Sequence, residues 1–141
     1  MEHAMPTSTQ TEPVSRLALW SGRLLSGLLI VFLLFDGAIK LVPWPVVTET
    51  MDRIGYGSSE TLARILGAVT IACTVLYAIP PTSILGAILL TGYLGGAIAS
   101  HLRIGSPLFT HVPFGAYLGL MVWGGLWLRD WKLRALLPLR G

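Results

Sequence analysis

The amino-acid sequence predicts an all-α membrane protein, a four-helix transmembrane bundle running up-down-up-down. Three observations predict it. Only 12% of the 141 residues are charged, 53% are hydrophobic and the mean hydropathy is +0.69. Soluble domains carry about 25% charged residues, so this composition lies outside the soluble range. Apolar runs of about 20 residues, the length that crosses a bilayer, recur four times with short connections. Glycines also sit inside those runs. Glycine weakens a helix in water by roughly 1 kcal/mol relative to alanine, but membrane helices use it to let a neighbour's backbone come close.

Residues 1–15 are polar, with Pro6, Pro13 and a TSTQT run. Their apolar content is too low to fold, so a disordered tail is expected. The positive n-region of a signal peptide is missing, and no cleavage is expected. A transmembrane domain over residues 16–134 follows, and residues 135–141 form a basic tail.

The first span is Leu17–Val42. Gly22 and Ser26 form a small-xxx-small pair, and Pro43 ends the helix. Asp36 and Lys40 are four apart, share a helix face and can pair. Asp36 is expected to lie deeper than Lys40, whose long stem can reach outward. Pro43–Ser59 is the longest connection. Val46, Val47, Met51 and Ile54 fall at helical spacing, opposite Thr48, Glu49, Asp52 and Arg53. Both a short helix on the membrane surface and a solvated loop fit this pattern.

Ser59 can cap the second span, Leu62–Ile79, with Glu60 in its first turn. Small residues stand four apart there at Ala63 and Gly67 and at Ala68 and Ala72. Pro80-Pro81 stops the helix, and Thr82 starts the next at once, giving a tight antiparallel hairpin. The third span centres on Leu85–Gly105. Gly92, Gly96 and Ser100 repeat at i+4, as do Gly95 and Ala99. These ridges mark it as the central packing helix, with Gly92, Gly95 and Gly96 against neighbours. A turn at Ile104–Pro107 leads to the fourth span, which opens near Pro113, runs to Leu128 and carries a Gly115/Gly119 pair. Trp123, Trp127 and Trp131 recur every fourth residue and are expected as lipid-facing bulk plus an interfacial belt.

Four spans put both termini on one side, with Arg16, Arg23, Arg129, Lys132, Arg134 and Arg140. Lys40, Arg53, Arg64 and Arg103 fall on the other. Six basic residues against four favour cytoplasmic termini and a bacterial inner membrane. These basic residues flank apolar runs instead of forming a soluble patch, so nucleic acid is not a partner.

The segment GAILLTGYLGGAIASHLRIG, the preceding Pro80-Pro81 turn, the first-span ending DGAIKL and the final WLRDWKLRALLPLR resemble the DoxX-like family of small bacterial membrane proteins. The resemblance runs from about Arg16 to Arg140 and implies a four-helix membrane bundle. It also implies a redox context, because some DoxX relatives are linked to thiosulfate:quinone oxidoreductases or to assemblies that handle thiol and oxidative stress. It carries no settled activity for this branch.

The up-down-up-down topology gathers Asp36, Lys40, Glu60, Arg64, His101, Arg103 and His111 at the non-cytoplasmic mouth. Ionisable groups are costly in lipid and must pair or face inward. Two ion pairs with interfacial anchors satisfy that need. So does a small-molecule or quinone-headgroup pocket with His101 as proton donor or acceptor. Haem is disfavoured, since His101 and His111 flank one short loop. No HExxH, CxxC or phosphate-cradling motif is present, and no metal is expected. Cys73 is the single cysteine, so an internal disulfide and a self-contained dithiol cycle are excluded. No nucleophile with a base partner is evident, and catalytic residues stay unassigned.

The leading expectation is an accessory or scaffold subunit of a membrane redox assembly, with the lipid bilayer and membrane oxidoreductase subunits as partners. Quinone is the cofactor candidate, and the oligomeric state is open. One alternative is a quinone- or thiol-linked oxidoreductase with its site at the mouth. Another is a small-molecule channel or carrier, for which inverted repeats are expected and none is seen.

Overall fold

The computed structural model describes residues 14–42, 44–105 and 112–136. The expected N-terminal tail before residue 14, the Ile104–Pro107 turn beyond Gly105, His111 and the final basic residues lie outside them. The described chain is helical, with α1 (Arg16–Leu41), α2 (Pro45–Arg53), α3 (Glu60–Ala78), α4 (Ser83–Arg103), α5 (Val112–Arg129) and α6 (Trp131–Leu136). A 3₁₀ turn, Pro80–Thr82, joins α3 to α4.

Each helix end has a local cause. Ser15 Oγ accepts from Ala18 N at 3.2 Å to open α1, and Ser59 Oγ accepts from Leu62 N at 3.3 Å to open α3. Prolines close the α3–α4 hairpin. Its turn is tied by Thr82 Oγ1 donating to Leu76 O at 2.7 Å and Ser83 Oγ donating to Tyr77 O at 2.9 Å. Arg134 donates to Trp127 O and Leu128 O at 2.7 and 3.0 Å, satisfying carbonyls at the end of α5 and holding α6 back against it.

Among the described residues, α1, α3 and the Pro80–Arg103 stretch are long and apolar enough to cross a membrane. Helix α5 is apolar and 18 residues long, opens at the edge of the described residues and ends in Arg129. The long helices pack in a cycle: α1 lies against α3 and α5, and α4 closes the ring against the same two. Leu29, Leu33, Tyr77, Leu90, Val122 and Leu126 fill the centre, each 1% exposed or less.

Close crossings form on α1 and at Gly86 and Gly115, but not at Gly92, Gly95 and Gly96 of α4, where they were expected. A Cβ on Gly22 would meet Gly125 O at 2.9 Å, and one on Gly67 would meet Gly37 O at 2.7 Å. Gly115 closes on Ile98 Cγ1 at 2.7 Å. Gly86 abuts the Tyr77 backbone in the hairpin. By contrast, a Cβ on Gly92, Gly95, Gly96 or Gly119 would meet nothing within 4 Å. Gly92 and Gly96 instead border an open recess, and Gly95 is exposed. Ala68 and Ala72 of α3 are also exposed. Trp123 and Trp127 pack against the core, while Trp131 is exposed. Trp123 Nε1 donates to Thr91 Oγ1 at 2.8 Å, which lays the half-buried ring along the exposed side of α4.

Residues 45–53 are a helix, not a loop. Pro45 suits a first helical position. Val47 and Met51 bury against Ala63, Ile39, Leu62 and Leu66, while the polar face looks outward.

Candidate functional site

The site grows from two facing stripes. On α1, Asp36 and Lys40 lie one turn apart. On α4, Tyr93, Ala97 and His101 repeat at i+4 and so share a face. Lys40 Nζ donates to Asp36 Oδ2 at 2.5 Å and to Tyr93 Oη at 3.0 Å. Its side chain is 21% exposed, against 27% for Asp36. Tyr93 thus holds the ammonium across the gap between α1 and α4.

The paired stripes separate two recesses. The larger, about 460 Å³, lies between α1, α4 and the overlying α2, with Leu66 of α3 at its back. That is within the range of small-molecule sites, roughly 300–1,000 Å³. Ile39, Val47, Met51 and Ile54 supply apolar wall, and Gly92 and Gly96 leave α4 bare. The smaller, about 170 Å³, lies toward α5 between Leu33, Ile98, Phe114 and Leu118. Asp36, Lys40, Tyr93, Ala97 and His101 line both.

Helix α2 is held over the larger recess from its C-terminal end. Gly55 and Gly57 turn the chain at φ +85° and +72°, a region glycine occupies without strain. The Arg103 guanidinium then packs on Gly55, and Nη2 donates to Ile54 O at 3.2 Å. Tyr56 Oη and Ser100 Oγ lie 2.7 Å apart.

Of the seven residues expected at the mouth, His111 lies outside the described residues, and Asp36, Lys40 and His101 line the recesses. Arg103 acts on the loop after α2 instead. Glu60 and Arg64 pair at 3.5 Å on the exposed side of α3, with side chains 64% and 58% exposed, and do not reach the recess. Tyr93 was not singled out from the sequence. Its signal was present: a tyrosine inside an apolar, glycine-rich run, two i+4 steps before His101.

A family profile matches residues 24–125, from the middle of α1 to the last turns of α5. This chain belongs to the DoxX-like family. The match spans every residue that lines either recess, so the site is built from the shared domain of this DoxX-like chain and not from its ends. No curated protein and no solved structure matches the chain.

Proposed function

We propose that this DoxX-like protein crosses the bacterial inner membrane four times, with α5 as the fourth span and both termini cytoplasmic. It serves there as an accessory subunit of a membrane redox assembly that holds a small lipophilic molecule at the non-cytoplasmic mouth. The excess of basic residues beside α5 and α6 supports the orientation. One observation carries the binding reading: the Asp36–Lys40–Tyr93 cluster forms part of the wall of a mostly apolar recess. Charged groups at membrane depth are costly, and a cavity that needs them has a use for polar recognition. The filled centre of the ring speaks against a through-channel, since Tyr77, Leu90 and Val122 occupy the axis below the recess.

A second reading, a quinone- or thiol-linked oxidoreductase, draws on His101 lining both recesses beside Lys40. An imidazole can act as proton donor or acceptor.

Purification in mild detergent, followed by mass spectrometry of bound lipids and proteins and an absorption spectrum, tests these readings. The expected result is a stoichiometric lipophile lost in Lys40→Met. Catalytic turnover by the isolated protein, abolished in His101→Ala, favours the second reading. No lipophile and no partner subunit overturns both. Reporter fusions at Gly141 and near Gly57 test orientation, and a periplasm-active fusion at Gly141 reverses it.

A further inference from the structure

We infer that the larger recess takes the uncharged, hydrogen-bond-accepting head of a lipophilic molecule and rejects an anionic one; this rests on the binding reading above. Charge is the first reason. Asp36 and Lys40 cancel each other in the wall, and Arg103 spends its guanidinium on the Ile54 carbonyl. An anion would have to displace Asp36 from Lys40 or share the ammonium with that carboxylate, and both are expensive away from water.

The donor inventory is the second reason. An ammonium has three N–H donors. Lys40 spends one on Asp36 and one on Tyr93, which leaves the third. Tyr93 Oη accepts from Lys40 and keeps its own hydrogen to give. The other hydroxyls in the wall are committed. Thr50 Oγ1 donates to Val46 O at 2.7 Å, and Ser100 Oγ donates to Gly96 O at 2.8 Å. With the Ser100 hydrogen used, Tyr56 must donate in its bond to Ser100. Lys40 and Tyr93 thus offer two adjacent donors on one wall, suited to carbonyl or ether oxygens.

The rest of the recess suits an apolar body. Ile39, Val47, Met51 and Leu66 line one side, and the bare backbone at Gly92 and Gly96 admits a flat group on the other.

The experiment titrates the full chain in nanodiscs of zwitterionic lipid with a decyl-substituted benzoquinone and with decyl sulfate, against empty discs. The two probes share a tail and differ in the head. The benzoquinone is expected to bind at least about 10-fold more tightly than decyl sulfate. Tyr93→Phe, which keeps the ring, should weaken the benzoquinone about 3- to 10-fold, the worth of one hydrogen bond. Gly96→Leu should weaken it at least 10-fold, since the new side chain enters the recess and meets no protein. Melting of each variant in detergent confirms the fold. Decyl sulfate binding as tightly as the benzoquinone, and lost in Gly96→Leu, overturns the uncharged head and leaves the binding reading intact. Binding of both probes unchanged in Gly96→Leu and in Tyr93→Phe overturns the binding reading itself. Failure of both probes to bind overturns the inference, while co-purified lipophile decides the reading beneath it.

Discussion

Ser26 Oγ lies 3.0 Å from Tyr77 Oη at the buried crossing of α1 and α3. Tyr77 Oη in turn donates to Val122 O on α5 at 2.8 Å. A phenol has one hydrogen, so Ser26 must be the donor to Tyr77. The chain Ser26–Tyr77–Val122 therefore runs in one direction and links three helices through a tyrosine that is 0% exposed.

Tyr77→Phe should destabilise the fold by about 1–3 kcal/mol, because it leaves Ser26 Oγ without its buried acceptor and removes the inter-helix bond to the Val122 carbonyl, which keeps only its intrahelical one. Ser26→Ala should cost less, since Tyr77 keeps its bond to Val122. Thermal unfolding of the two variants and the double variant in detergent checks this. Equal losses in both single variants would show that the Val122 bond contributes nothing.

Glycines of similar sequence context should behave oppositely. Gly67→Leu drives a side chain into Gly37 O and Lys40 Cβ, which stand 2.7 and 2.9 Å from a Cβ. Overpacking at such a crossing costs typically 1–3 kcal/mol or more. Folded yield of Gly67→Leu should fall steeply. Gly96→Leu should keep the parent's yield, because its Cβ has no neighbour within 4 Å. Equal loss in both variants would place a partner against the α4 ridge.

Breaking the Asp36–Lys40 pair from either side should destabilise by about 1–3 kcal/mol, between the values for exposed and fully buried pairs. Lys40→Met leaves Asp36 without its ammonium. Asp36→Leu leaves Lys40 with Tyr93 alone. The double variant should recover part of the loss, because no unpaired charge remains. Additive losses in a double-mutant cycle would mean that the pair is not coupled.

Removing the fastening beyond α2 should loosen that helix and leave the ring intact. Arg103→Gln with Tyr56→Phe deletes the bonds to Ile54 O and Ser100. Hydrogen exchange across residues 45–57 should rise, with α1 and α3 unchanged. Unchanged exchange over 45–57 would show that Val47 and Met51 hold α2 alone.

Much was legible in the sequence. The apolar runs, the Ser59 cap, the proline hairpin and the Gly22/Ser26 pair each depend on neighbours a few residues away, and they stand where local chemistry puts them. The Asp36–Lys40 pair is also local, four residues apart on one helix. The packing role of Gly92 and Gly96 was not legible. Spacing of small residues defines a face, but it carries no information on what that face meets.

By itself the sequence determined helices, their ends and an apolar character suited to lipid, because hydrogen bonding within four residues and transfer of side chains from water are properties of local chain. Only the tertiary structure decided that Lys40 bonds to Tyr93, 53 residues away, and that the α4 glycines border a recess. It also decided that Glu60 and Arg64 stay outside. Those outcomes depend on how each helix is rotated about its axis against its neighbours. That rotation is set by the close crossings at Gly22, Gly37 and Gly67, where backbone meets backbone and a few ångströms choose which face turns inward.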